Sequence, residues 1–514
     1  MMQHSSHAGY LDTTRAPDTL EADVIIIGLG AGGSMALHDL ARKGVDVLAI
    51  EAGAPYDHTT ASRREEEMMP RLFMEGGARA TEDMAIRILQ GKGVGGSTLH
   101  NTNLCKRLPD ELLAHWIDTY HLQELAGARL QQDFQDVETL LGVHRIPDDQ
   151  VNTNNAIMAR GLSRLGLEPG RLSHNRSGCK QSGFCELGCP NNGKQNAAKV
   201  LVPVALEHGA RILTHTLVDR LHTQHGRISS LTATILAPGH PPRRVTVRGK
   251  HFILAASATG SAAIATGSGL HDPHRLAGTN LHMHPGAFVL GLFEEPVESW
   301  RGVPQSVDCT EFLSFSHNES APDQRVWLVA GGAHPGGSAS MLPGFGAEHV
   351  RMMKRYPFAA AMIAMIHDHS SGRVLPGHQG EHVRIHYKLE QQDWRQIELG
   401  LRQGARIFLA AGAKEVILPL NPARVIRSER DLERFSIRDL RTFSPPLIAV
   451  HPMSTLWMGN DPRKSVVNAF GQHHHHPNLF VADGSLFPTS IGGPPQISIY
   501  TFGRHVARRV MAEL

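Results

Sequence analysis

The stretch ADVIIIGLGAGGSMALHDLARKGVDVLAIEAG, residues 22–53, restricts the fold more than any other part of the chain. A buried strand over Val24 to Ile27 runs into a glycine loop, then an amphipathic helix, then a second strand over Val45 to Ile50 that ends on an acid, Glu51. Each position has a physical task. Gly28 permits the tight turn, Gly30 lets a pyrophosphate approach the backbone, and Gly33 lets helix and strand pack closely. Glu51 stands at the distance needed to bind a ribose hydroxyl. Strand, loop, helix and acid in register predict a βαβ unit of an α/β, Rossmann-like fold that binds a dinucleotide.

Composition narrows the partners. With 514 residues the chain can bury a large core over two or three domain-sized units, so it needs no disulfides for stability. Lys plus Arg (51) nearly balances Asp plus Glu (49), and no long charged block interrupts the chain. That argues against nucleic acid or an anionic membrane and for a small molecule. The first residues lack the apolar core of a signal peptide, and the longest apolar run, FAAAMIAMI, is far short of a membrane span. By these signals the chain reads as cytoplasmic, with export beside a companion subunit left open.

Four later segments, GKGVGGSTLHNTN (91–103), AASATGSAAIATGSGL (255–270), VHPMSTLWMGND (450–461) and NLFVADGSLFPTS (478–490), follow in an order that resembles the glucose-methanol-choline (GMC) family of FAD-dependent oxidoreductases. The likeness runs from about residue 22 to the end of the chain. It implies an FAD-binding domain built from discontinuous segments (20–105, 195–285 and 440–514) and an α+β substrate domain over 286–439 with an antiparallel sheet. An insertion over 106–194 would carry the cysteines, and residues 1–19 would form a flexible tail. The strings RVWLVAG, MIAMIHD and VRIHYKL read as strands of that sheet, RVTVRGKHFIL as strand, turn and strand, and QQDWRQIELGLRQGARIFLAAGA as a helix stopped near Gly412. The run His473 to His476 reads as a solvated loop without function.

The resemblance also implies site residues. Gly95, Gly96 and Ser97 match a second glycine loop near the flavin, and Asn101 a polar residue beside the ring. Asp483 and Gly484 match the stretch that approaches the phosphates and ribityl chain. His100 stands where some relatives attach the flavin covalently. His451 matches the catalytic histidine, a base that takes the hydroxyl proton of an alcohol as hydride passes to flavin N5. A second histidine or asparagine usual in the family is replaced by Pro494, which has no side-chain hydrogen bond to offer. Oxygen-using oxidation or non-redox, lyase-like chemistry on the same scaffold therefore stays open.

Three of the five cysteines lie in CKQSGFCELGCP, residues 179–190. The spacing is that of a ferredoxin ligand run with its second cysteine replaced by Ser182. Cys179, Cys185 and Cys189 could hold a [3Fe-4S] cluster, could hold zinc with His174 as fourth ligand, or could be structural thiols or include a disulfide. Bacterial FAD-dependent glucose dehydrogenase catalytic subunits, a branch of the same family, have a similar C-x₅-C-x₃-C-P stretch that holds a three-iron cluster. The likeness implies an electron route out to an acceptor or small companion subunit.

Overall fold

A computed structural model describes residues 9–315, 323–332, 334–377 and 383–514. Its first sheet is the one demanded by the glycine motif. Strand order is Arg211–Leu213, Val47–Ile50, Thr19–Ile27, Arg243–Leu254, Arg227–Ile235 and Thr216–Gln224, with Leu479–Val481 pairing the end of Arg243–Leu254. Four of these strands are fully parallel with their neighbours, and their central parts, Val24 to Ile27, Val47–Ile50 and Leu479–Val481, are continuous buried apolar runs. The helix Ala31–Ala41 packs against the last helix, Gln496–Met511. Gly32 and Gly503 make that contact possible: a Cβ on Gly503 would lie 2.6 Å from the Gly32 carbonyl oxygen.

RVTVRGKHFIL lies within one strand of 12 residues, Arg243–Leu254, and is not two strands joined by a turn. Its first half pairs antiparallel with Arg227–Ile235, and its second half pairs parallel with Leu479–Val481. Gly249, which suggested the turn, lies flat beside Ala22, where a Cβ would come 2.6 Å from Ile25 Cγ1. The glycine serves packing rather than reversal.

The second sheet is mainly antiparallel, in the order Arg424–Ile426, Glu415–Leu418, Gly286–Leu292, Ala359–Ile366, Val326–Ala330, Val307–Cys309 and Gly170–Arg171. Leu447–Ala449 joins it beside Gly286 and carries Ile86–Ile88 on its other edge, so these short segments bring both ends of the nucleotide-binding region to the second sheet. The helix Gln391–Ala410 lies across this sheet, with Ile397, Leu401 and Ala405 buried as their spacing requires. Gly400 and Gly404 bring it close, since Cβ atoms there would meet Ala364 Cβ at 2.5 Å and Val289 Cγ2 at 2.9 Å. VRIHYKL departs from expectation: Val383–His386 pairs with Arg373–Pro376 in a separate two-stranded ribbon.

Two further readings change. Part of the segment expected to be a flexible tail, residues 1–8, lies outside the described residues, but Leu11 N–H donates to the Ile212 carbonyl at 2.9 Å and Asp18 pairs with Arg243 at 2.7 Å. The histidine run is not a solvated loop. His473 and His476 are buried, and His476 donates from Nδ1 to the Gly226 carbonyl (3.0 Å) while accepting at Nε2 from the His271 N–H (3.0 Å). The short link before Leu479–Val481 tucks under the Thr216–Ile235 hairpin, which removes His473 and His476 from water.

Candidate active site

One cavity of about 550 Å³ runs from the carboxyl ends of the parallel strands to the face of the second sheet. Gly28, Gly30, Glu51, Gly96, Ser97, His100, Asn101, His451, Asp483, Gly484 and Pro494 all line it. The glycines divide their tasks as the motif requires. Gly28 has φ +96° and sits against the Ala255 carbonyl, and a Cβ on Gly33 would lie 2.0 Å from the Gly28 oxygen. Around Gly30 nothing lies within 4 Å of a built Cβ, so the backbone there faces open space at the start of a helix that has no side-chain cap. That is a cradle suited to a phosphate group. Gly95 does not line the cavity; it supports the second loop by donating to the Leu29 carbonyl at 2.8 Å.

Glu51 is buried and accepts three backbone N–H groups, from Leu29 (2.9 Å), Gly53 (2.8 Å) and Gly93 (3.2 Å). Burial still outweighs these bonds and pushes its carboxyl upward. Asp483 is raised in the same way, although it accepts from Ser261 Oγ (2.5 Å) and the Ser485 N–H (2.8 Å). It thereby ties the helix Ser257–Gly267 to the turn at Gly484.

His100 is packed on Phe73, ring centroids 4.0 Å apart, with Nε2 buried and unpartnered. Asn101 donates to Gln496 Oε1 at 2.9 Å. Beneath them lies Lys194, which the sequence reading missed. Its buried ammonium donates to the carbonyls of Leu99 (3.1 Å) and Cys185 (2.9 Å) and to that of Asn101, so it joins the second glycine loop to the cysteine segment. Burial brings it down to about 8. Glu186, also missed, lines the large cavity and is pushed by burial to about 7. A charged residue inside a cysteine motif carries no sequence signal of its own.

His451 follows the strand Leu447–Ala449 and enters the cavity where Phe288, Trp327, Ile363, Met365, Ile448 and Val450 form an apolar wall. Pro494 lines the cavity with a side chain that has no polar atom to offer. The residue in contact with His451 is His284, their Nδ1 atoms 3.2 Å apart. Burial holds both rings down to about 3.

His100, His174 and His473 are held down to about 3 by burial as well. Free histidine takes its proton near 6.5, so below that pH the unfolded chain binds protons that these folded rings refuse. Stability is therefore expected to be full above about pH 6.5 and to fall steadily as pH drops toward 3. Thermal unfolding followed across that range checks it, and a midpoint that stays level from pH 7 to about 4.5 would contradict it.

Cys179, Ser182, Cys185 and Cys189 converge on a separate cavity with Arg176 and Lys194. The convergence matches the spacing argument, and the Gln181 N–H points at Cys179 Sγ (3.4 Å). The space they share is about 10 Å³, room for one water-sized sphere, and smaller than three irons and four sulfides. Among the described residues, no group of three or more His, Cys, Asp or Glu is arranged to hold a metal ion. His174 does not line this cavity; its Nε2 lies 3.1 Å from His144 Nε2, which removes the fourth ligand of a zinc site. The five cysteines are all free thiols.

Comparison with known proteins agrees with this geometry. Sequence profiles of the N- and C-terminal parts of GMC oxidoreductases match residues 69–286 and 368–503. An uncharacterized GMC-type oxidoreductase of Mycobacterium tuberculosis is 30% identical over 97% of this chain and 77% of its own length. The long-chain-alcohol oxidase FAO4A of Arabidopsis thaliana is 25% identical over 96% of this chain and 69% of its own. Among solved structures, pyridoxine 4-oxidase from Mesorbium loti superposes with a TM-score of 0.69 at 21% identity, covering 95% of this chain and 99% of that one. A formate oxidase from Aspergillus oryzae gives 0.70 at 14%, covering 97% and 99%, so both show a shared fold. With its glycine loops, its two sheets and its histidine in the cavity between them, the chain belongs to the GMC oxidoreductases.

Proposed function

We propose that this protein is an FAD-dependent oxidoreductase that oxidises the CH–OH group of a small, largely apolar alcohol, with His451 as the residue that manages the hydroxyl proton. One observation carries the reading: a single cavity joins the open cradle at Gly30 to His451 and the apolar wall beyond it. The cradle and the N–H-lined loops suit the phosphates, Glu51 the ribose, and Asn101 with the Asp483–Gly484 turn the remainder of the cofactor. When bound, FAD supplies the two-electron acceptor. The chain's own part is to hold the alcohol against the apolar wall, to place His451 at its oxygen and to keep water out. As a neutral imidazole at working pH, His451 is suited to acid–base work on that oxygen. Anaerobic addition of candidate alcohols tests the reading. Bleaching of the flavin by an apolar alcohol supports it, and a flavin that no alcohol reduces sinks it.

Peroxide formed on admitting air would make the enzyme an oxidase, the class to which FAO4A and pyridoxine 4-oxidase belong by name. Product formed without flavin reduction would identify the lyase-like alternative. Among the described residues no helix is long and apolar enough to cross a membrane.

The three converging thiols favour a second reading, a [3Fe-4S] cluster passing electrons to an acceptor or companion subunit, which would need the loop over 179–190 to open beyond its present cavity. Protein prepared without air would then contain about three irons per chain, and Ser182→Cys would raise this toward four, because Ser182 faces the same space. Iron-free protein with full activity would leave the cysteines as structural thiols.

A further inference from the structure

We infer that His284 is a positioning residue that holds the proton of His451 on Nε2, so that His451 meets the substrate oxygen as a hydrogen-bond donor. The inference rests on the proposed placement of His451 at that oxygen and specifies its resting state.

The argument begins at the far side of His284. Its Nε2 faces two backbone N–H groups, those of Gly492 at 2.9 Å and Ile491 at 3.2 Å. Two donors aimed at one ring nitrogen require a lone pair there, so Nε2 carries no proton. A protonated ring would point an N–H into both donors and is excluded by the same contacts. The neutral ring therefore has its one proton on Nδ1. That atom lies 3.2 Å from His451 Nδ1, which must then accept, and the proton of His451 is left on its other nitrogen, Nε2.

His284 is built to stay in this pose. It is fully buried, and its backbone has φ +52°, in the left-handed region. The buried Asp368 pins that turn, accepting from the N–H groups of Met283 (2.9 Å) and His284 (3.2 Å), the Tyr387 hydroxyl (2.6 Å) and Ser490 Oγ (2.7 Å). Ser490 immediately precedes the two residues whose N–H groups face His284. The same loop leads on to Pro494, where the family's usual second side chain is missing.

The consequence concerns the order of proton movements. A substrate oxygen entering the cavity first receives a hydrogen bond from His451, which favours an oxygen with alkoxide or carbonyl character. For His451 to accept a proton at Nε2 the pair must exchange tautomers. That exchange puts a proton on His284 Nε2 and breaks its bonds to Ile491 and Gly492.

Nitrogen NMR of FAD-loaded protein labelled with [¹⁵N]histidine tests this, with the His451 ring assigned through its disappearance in His451→Gln. Expected at pH 7 is a protonated, pyrrole-type Nε2 and an unprotonated, pyridine-type Nδ1. His284→Asn, whose amide can still donate, should keep that pattern. His284→Asp, which can only accept when ionised, should reverse it by drawing the His451 proton to Nδ1. An unprotonated Nε2 in the wild-type protein overturns the inference, whether or not the Asp variant folds. An unreversed pattern in a folded His284→Asp protein overturns it too. Failure of the wider reading looks different: flavin reduction by alcohol would be indifferent to His451, whatever its tautomer.

Discussion

Replacing His451 by alanine is expected to leave the flavin bound and to slow its reduction by an alcohol roughly 10²- to 10⁴-fold, the range for a lost acid–base group. The flavin should stay because the cradle at Gly30 and the Glu51 clamp lie on elements apart from the segment after Leu447–Ala449 that carries His451. The loss falls on the chemical step. Alanine removes the polar atom that His451 offers in a wall otherwise made by Phe288, Trp327, Ile363, Met365, Ile448 and Val450. An alcohol oxygen buried there without a partner is poorly solvated and poorly held. Single-turnover reduction without air measures the step directly. A variant that reduces its flavin as fast as the wild type would remove His451 from the reaction.

Gly30→Val should give a folded protein without FAD. No atom lies within 4 Å of a Cβ at Gly30, so valine meets no steric conflict in the empty protein, but its methyl groups fill the space left for the phosphates. Loss of the cofactor removes the stabilisation that binding confers, about 2.7 kcal/mol when free FAD is a hundredfold above its dissociation constant. Gly33→Val is the matched contrast. There the Cβ would lie 2.0 Å from the Gly28 carbonyl oxygen, so the strand–helix contact itself breaks and folding fails. Absorbance of the purified proteins separates the two outcomes, and a Gly30→Val protein with its full complement of flavin would show that the loop does not receive the cofactor.

The parts of this site that were legible in the sequence are those whose chemistry is local. Gly28, Gly30 and Gly33 announce themselves because one turn of chain contains the strand end, the cradle and the packing contact. The cysteines converge on one small cavity because the turn Phe184–Leu187, flanked by Gly183 and Gly188 in the left-handed region, folds the segment back on itself. Gly249 and the histidine run misled for the opposite reason: their environment comes from residues more than 200 positions away, Ile25 for one and Gly226 for the other. His284 was illegible as a functional residue. Nothing in HMHPG distinguishes it among 33 histidines until the 491–492 backbone and His451 close on its two nitrogens. The separate ribbon formed by Val383–His386 is of the same kind, because alternation predicts a strand and does not say which sheet receives it.

The Glu51 carboxylate gathers N–H groups from positions 29, 53 and 93, three loops far apart in the chain. All three partners belong to the protein, so the mouth of the nucleotide cavity keeps its shape through bonds that owe nothing to an occupant. Filling the cavity is then a docking event rather than a folding event. Emptied protein should take up its cofactor in one concentration-dependent phase, without the slow rearrangement that a collapsed site would impose. The trade-off falls on Glu51 itself, because each N–H it holds for the architecture leaves less of its oxygen lone-pair capacity for the ribose. With Glu51 at the ribose as proposed, recognition of the sugar would be limited to the acceptor capacity left over, and binding strength would shift toward the backbone amides around Gly30.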